Sequence, residues 1–322
     1  MEEIIVTVIN EMAEVLTAAQ LRKLQEVLLR NLSENRLEAQ EASNEEYLKL
    51  FLDAKRIEGC SERTIQYYGA TAELFLKTVT VPIRQMTTEM IRNYLVRYQK
   101  RNNCGRVTVD NIRRNLSSFF SWLEEEDYIL KSPMRRIHKI KTPRTVKNTI
   151  SDEDIERMRD HCSEIRDLAI IDLLYSTGMR VGELVNLNRE DIDFEQRECI
   201  VFGKGARERR VYFDAKAKIH LQSYLSLRTD PNPALFVTLD SPYARLQISG
   251  VEIRLRKLGR KLNIERVHPH KFRRTMATRA IDKGMPIEQV QKILGHSQID
   301  TTMQYAIVNQ NNVKVSHQKI LA

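Results

Sequence analysis

The chain has 322 residues, more than one hydrophobic core ordinarily organises, so two domains are expected. Lys and Arg number 52 against 43 acidic residues, and the resulting net charge of +9 favours a polyanionic partner, nucleic acid foremost. No run approaches the roughly 18 apolar residues of a membrane span, and Glu2 and Glu3 stand where a secretory signal carries basic residues, which points to a cytoplasmic protein without a membrane partner.

Residues 1–42 are expected to form a helical extension. Thr17 can cap a helix with Gln20 closing the box, and Leu21, Leu24, Val27, Leu28 and Leu32 keep an apolar stripe. The extension holds eight Glu against Arg22, Lys23, Arg30 and Arg36, a sign opposite to the whole chain and a poor match to phosphates. Residues 43–130 read as a bundle of about four helices, carried by Tyr47, Leu48 and Phe51, by Leu74, Phe75 and Leu76, by Ile91 and Leu95, and by Leu116, Phe119, Phe120 and Leu123. Gly59, Pro82 and Gly105 mark the turns between them. Arg63, Arg106, Arg113 and Arg114 lie near helix starts or on polar faces and together suit a grip on a nucleic-acid backbone.

Residues 131–148 read as a basic linker. They contain Pro133 and Pro143, seven basic residues that include Arg135, Arg136, Lys139 and Lys141, and no acid, a composition suited to lying along phosphates. A second domain, 149–322, opens with the helix-starting box at Ser151. Its strand signal is Cys199–Phe202 and Arg209–Phe213 around Gly203-Lys204-Gly205, a hairpin. Helices are expected over about 214–228, 249–262, 270–283, 287–294 and 301–309. The fold class is therefore mainly α with a small antiparallel β region. Cys60, Cys104, Cys162 and Cys199 form no CxxC pair, which argues against a zinc knuckle or a disulfide framework.

Four short motifs follow one another in the second domain: Thr-Gly-Met-Arg-Val-Gly-Glu-Leu at 177–184, Gly-Lys-Gly at 203–205, His-Pro-His-Lys-Phe-Arg-Arg-Thr at 268–275, and Leu-Gly-His at 294–296 with Thr-Thr-Met-Gln-Tyr at 301–305. Each is weak alone. In this order and spacing they resemble the tyrosine recombinase (phage integrase) family, from about Asn44 to the C-terminus, in its simple form without a basic arm-binding domain. The resemblance implies a helical core-binding domain followed by an α+β catalytic domain. It implies catalytic roles for Arg180, Lys204, His270, Arg273, His296 and Tyr305, with Glu183 supporting the first arginine. The family usually has leucine where Phe272 stands, a conservative change.

The residue types suit that chemistry. Two guanidiniums, Arg180 and Arg273, can hold the non-bridging oxygens of a phosphodiester as charge grows there. Tyr305, with a phenol pKa ordinarily of about 10, needs a proton acceptor or positive surroundings. His270 is the proposed acceptor, one helical turn from Arg273; Lys204, on a glycine-flanked tip, is the proposed acid for the departing 5′ oxygen; His296 can donate a hydrogen bond to the phosphate. Lys271, Arg274 and Arg279 read as solvated or phosphate-facing charge. His268 and His270 alternate like metal ligands, but Pro269, the helix that follows and the lack of a carboxylate within that stretch argue against a metal, and no cofactor is expected.

The resemblance implies cleavage and rejoining of double-stranded DNA at specific recombination sites through a 3′-phosphotyrosine and a Holliday junction, by a homotetramer close to the nucleoid. An accessory or directionality protein fits this scheme. A tail with Val308, Val313, Val315, Ile320 and Leu321 is expected to dock on a neighbouring protomer. A type IB topoisomerase shares the chemistry and is the alternative. A basic DNA-binding regulator with a degenerate site and a metal nuclease are further rivals.

Overall fold

The computed structural model describes residues 2–37, 42–142, 148–203, 208–303 and 305, and the chain divides into two units, Met1–Arg144 and Thr145–Ala322. The acidic extension of the first unit is two helices, α1 (Glu2–Met12) and α2 (Ala18–Leu37), packed on one another. At the start of α2 the amide and the hydroxyl of Thr17 both donate to Gln20 Oε1, each at 2.9 Å, which satisfies an otherwise orphaned helix-start amide.

The bundle consists of α3 (Asn44–Ile57), α4 (Glu62–Thr78), α5 (Thr88–Asn102) and α6 (Arg106–Glu125). Ser43, Ser61 and Thr87 cap the first three, Ser43 in a full capping box with Glu46. Apolar residues at helical spacing then meet in one core, where Phe51, Phe75, Leu116, Phe119, Phe120 and Leu123 are fully buried. Phe51 meets Phe119 edge-on with ring centroids 5.2 Å apart. Asn115, buried in α6, donates to Thr71 Oγ1 of α4 at 2.9 Å, so the polar pair within the core is satisfied.

The chain after α6 stays on this bundle through Ile140. A 3-10 turn, Pro133–Arg136, buries Met134, and the Pro133 and Arg136 carbonyls accept from Thr88 at 2.7 Å and Arg92 at 3.0 Å. Ile137 and Ile140 pack against the bundle core, and the Ile140 amide donates to Asp110 at 3.0 Å. Residues 143–147 lie outside the described residues.

In the second unit α8 (Ile165–Thr177) is the central element. Ala169 to Leu174 are all buried, including the carboxylate of Asp172, which accepts from Arg159 at 2.7 Å and pairs with His220. Around it lie α7 (Asp152–Asp160), capped by Ser151, α10 (Ala215–Ser226) and α12 (Pro269–Asp282). The short α9 (Val181–Asn186), α11 (Ile248–Lys261), α13 (Ile287–Leu294) and α14 (Ile299–Met303) complete the α-helices among the described residues.

The sheet is antiparallel in the order β1 (Ile192–Asp193), β2 (Glu198–Phe202), β3 (Glu208–Tyr212). Cys199 pairs with Val211 and Val201 with Arg209, so these four share the inward face, while Ile200, Phe202 and Tyr212 are exposed on the other. Two-residue β1 is too short to leave an alternation in the sequence, and it was not expected. No described helix is long and apolar enough to cross a membrane.

Candidate active site

α8 ends at Gly178, whose φ of +62° is the left-handed conformation that glycine adopts without strain. A Cβ there would lie 2.2 Å from Met276 Cε of α12, so the missing side chain also permits the close approach of the two segments. Two residues on, Arg180 becomes the N-cap of α9. Its amide donates to Glu183 Oε2 at 2.7 Å and its guanidinium to Glu183 Oε1 at 2.9 Å, which fixes the stem while 42 % of the side chain stays exposed.

Glu183 is buried and carries a second arginine. Arg209 of β3 forks onto it at 2.7 and 2.6 Å and passes its Nε hydrogen to the Ile293 carbonyl of α13 at 2.7 Å. Burial pushes the Glu183 carboxyl upward, but the hydrogen bonds and charges of Arg209 and Arg180 overcome this and hold it below the usual carboxylate range. Sequence reasoning missed Arg209. The available signal is an arginine at an inward-facing strand position, legible once the register with Val201 is known.

Arg273 of α12 is only 2 % exposed. It donates to the Gly178 carbonyl at 2.8 Å, to the Leu294 carbonyl, and to His296 Nε2 at 3.0 Å, tying together the ends of α8 and α13. Burial, and then the positive charges of Arg180 and Arg209, bring its pKa down to about 10, which leaves it charged at neutral pH. His296 follows the left-handed Gly295 that ends α13, and its Nδ1 lies 2.8 Å from the hydroxyl of fully buried Thr302. Burial together with Arg273, Arg180 and Arg209 lowers the pKa of His296 to about 4, so the imidazole is neutral. His270 is exposed on the first turn of α12.

Tyr305 is half-buried beside this group. Its ring stacks on His296 with centroids 6.0 Å apart and 28° between planes, and its amide donates to the Thr302 carbonyl at 2.9 Å. With Met276, Ala280, Ile281 and Met285 it packs against a small apolar core of Ala277, Val290 and Leu294. The structure thus brings Arg180, Glu183, Arg273, His296 and Tyr305 into one cluster, with His270 close by. Lys204 lies outside the described residues, as does the tail from residue 306.

Of the neighbouring cations expected as solvated or phosphate-facing charge, Lys271 is instead buried, while Arg274 and Arg279 are partly exposed. Lys271 donates to the Glu265 carbonyl at 2.7 Å, Arg274 reaches the Asn148 carbonyl at 2.9 Å, and Arg279 pairs with Asp152 at 2.6 Å over the ring of Tyr175. They fasten α12 to its surroundings. No cluster of His, Cys, Asp and Glu able to hold a metal occurs among the described residues. A cavity of about 170 Å³ between α8 and α11, lined by Cys162, Ile171, Val251 and Leu255 among others, shares no residue with the cluster.

Residues 148–312 match the phage integrase family, and residues 47–130 match its N-terminal SAM-like domain. The chain belongs to the phage integrase family. Within this family it is 30% identical over 290 residues to the tyrosine recombinase XerC of Oceanobacillus iheyensis, covering 85% of this chain and 95% of that one. It is 31% identical over 287 residues to a XerC of Leptospira interrogans, covering 85% and 92%. Among solved structures, XerA recombinase matches at 27% identity with a TM-score of 0.50 over 86% of this chain and 98% of that one. The Tn1549 transposon integrase in complex with circular intermediate DNA matches at 19% identity with a TM-score of 0.69, over 86% and 99%, and shows the same fold.

The described part of the acidic extension, 2–37, precedes both integrase-family matches. On the SAM-like domain Arg63 and Arg106 are exposed, as is Arg114, whereas Arg113 is turned onto Asp110 at 2.8 Å with 12 % of its side chain exposed. Beyond it Arg136, Lys139 and Lys141 are exposed, and Arg135 pairs with Glu124 at 2.6 Å.

Proposed function

We propose that the chain is a site-specific DNA recombinase in which the Tyr305 oxygen attacks a backbone phosphorus of double-stranded DNA. The P–O5′ bond breaks, a 3′-phosphotyrosine forms, and the 5′ oxygen leaves as a hydroxyl. The observation that carries this reading is the convergence of Arg180, Arg273 and His296 beside the Tyr305 phenol. Arg180 is the half-exposed contact to the phosphate, held on Glu183; Arg273 is the buried one, anchored through Nη1 by the Gly178 carbonyl. His270 accepts the phenolic proton and Lys204 supplies one to the departing oxygen. The phosphotyrosine stores the energy of the broken linkage, so rejoining needs only attack by a 5′ hydroxyl.

The same reading makes residues 43–130 the core-DNA-binding domain and 149–322 the catalytic domain, with exposed Arg63, Arg106, Arg114, Arg136, Lys139 and Lys141 as backbone contacts. Four protomers exchange strands in pairs through a Holliday junction, close to the nucleoid in the cytoplasm, and an accessory protein can set direction. Identity of 30% or more to proteins called tyrosine recombinase favours recombination over the type IB topoisomerase reaction.

The test is covalent trapping: wild-type protein incubated with fragmented bacterial DNA is denatured, and DNA linked to Tyr305 is sequenced. Tyr305→Phe should bind the recovered duplex yet form no adduct. An adduct at the wild-type level would sink the assignment, and relaxation of a plasmid without two-site exchange would return the topoisomerase reading.

A further inference from the structure

His296 sits between two groups of unequal freedom. Arginine carries only donors, so the contact of Arg273 Nη2 with His296 Nε2 at 3.0 Å makes Nε2 an acceptor. A neutral imidazole has one proton, which then resides on Nδ1 and points to Thr302 Oγ1 at 2.8 Å. In this arrangement Nε2 has no hydrogen to offer a phosphate. A histidine that serves as a phosphate donor must carry its proton on the other nitrogen, and a threonine hydroxyl, which both donates and accepts, fits either form.

We propose that Thr302 is the positioning residue that sets the tautomer of His296, accepting from Nδ1 in the free enzyme and donating to Nδ1 when a phosphate occupies the site. When Arg273 Nη2 turns to a phosphate oxygen, Nε2 loses its donor. One proton leaves Nδ1 to water and one arrives at Nε2 from water, so the charge is unchanged. The hydroxyl rotates to donate to Nδ1, and Nε2–H faces the phosphate. Thr302 is suited to this because it is fully buried, where a wrongly paired polar group is costly. Its carbonyl also accepts the Tyr305 amide at 2.9 Å, so the residue that holds the imidazole closes the backbone turn bearing the phenol. Orientation of the histidine and presence of the nucleophile are thereby linked. The inference rests on the proposed reading of His296 as a phosphate ligand.

The experiment uses full-length protein with ¹⁵N-labelled histidine, His296 being assigned by its loss in His296→Gln. Free wild type should show a protonated Nδ1 and an unprotonated Nε2. Thr302→Ser keeps the hydroxyl and should keep both this signature and the cleavage rate. Thr302→Val, equal in shape, should lose the single-tautomer signature and slow single-turnover cleavage of the duplex recovered by trapping by about 10–100-fold, the usual cost of removing the partner that orients a functional histidine, with binding unchanged. Protonated Nε2 in the free wild type overturns the proposal, and so does a Thr302→Val protein with unaltered spectrum and rate. If Thr302→Val does not fold, the wild-type spectrum and the serine variant decide, since a serine variant with an altered tautomer also overturns it. Absence of any Tyr305 adduct beside the expected wild-type spectrum would refute the recombinase reading instead, leaving the tautomer assignment intact.

Discussion

Gly178 joins two requirements at one residue, a left-handed backbone and the closest approach to Met276, while its carbonyl anchors Arg273. Gly178→Ala is therefore expected to destabilise the catalytic unit by about 1–3 kcal/mol through backbone strain and overpacking, measured by urea unfolding. An unchanged midpoint would mean that the segment has room to shift. His296 supplies a pH dependence. Its folded pKa of about 4 lies below the ordinary 6.5, so between those values the unfolded chain binds a proton that the folded site refuses. Stability should be insensitive to this group above pH 6.5 and fall as pH drops toward 4. Melting temperatures of His296→Gln should decline less across that window than those of wild type; parallel declines would remove His296 as the cause. The clustered residues were legible beforehand because each stands in a short motif whose chemistry is specific. Arg209 and Thr302 were not, since an arginine among strand arginines and a threonine in a Thr-Thr pair gain meaning only from what folding places opposite them.

At the scale of elements, helical spacing and the turn signals at Gly59, Pro82 and Gly105 located the bundle. The structure adds Ser43, Ser61 and Thr87, whose oxygens satisfy free amides at the helix starts. The stretch after α6 is different. Its prolines and basic residues read as a linker, yet it adheres to the bundle through Ile137, Ile140 and the Asp110 carboxylate, contacts between residues 30 positions apart that composition does not reveal. Asp110 is also the partner of Arg113, and although burial pushes its pKa up, the hydrogen bonds from Arg113 and Ile140 bring it down. Asp110→Ala should leave the Ile140 amide without its acceptor, destabilise the first unit by about 2 kcal/mol, and speed hydrogen exchange over residues 137–142. Exchange unchanged there would show that apolar packing alone holds the segment. The same variant releases Arg113 from its ion pair.

For the whole molecule, the net-acidic extension that carries α1 and α2 has the charge sign least suited to phosphates. Helices of this length are marginal alone, and their mutual packing supplies part of what each lacks. Deleting residues 1–40 should leave affinity for a single site within about 3-fold while impairing the pairing of two sites, checked by gel shift against a two-site recombination assay. Loss of single-site affinity without a pairing defect would mean that the extension contacts DNA. Residues 133–140 adhere to the bundle. Arg136 and Lys139 are therefore carried on a folded surface rather than on a free chain. A cation held in this way gives up less conformational freedom when it meets a phosphate, so more of each contact appears as affinity.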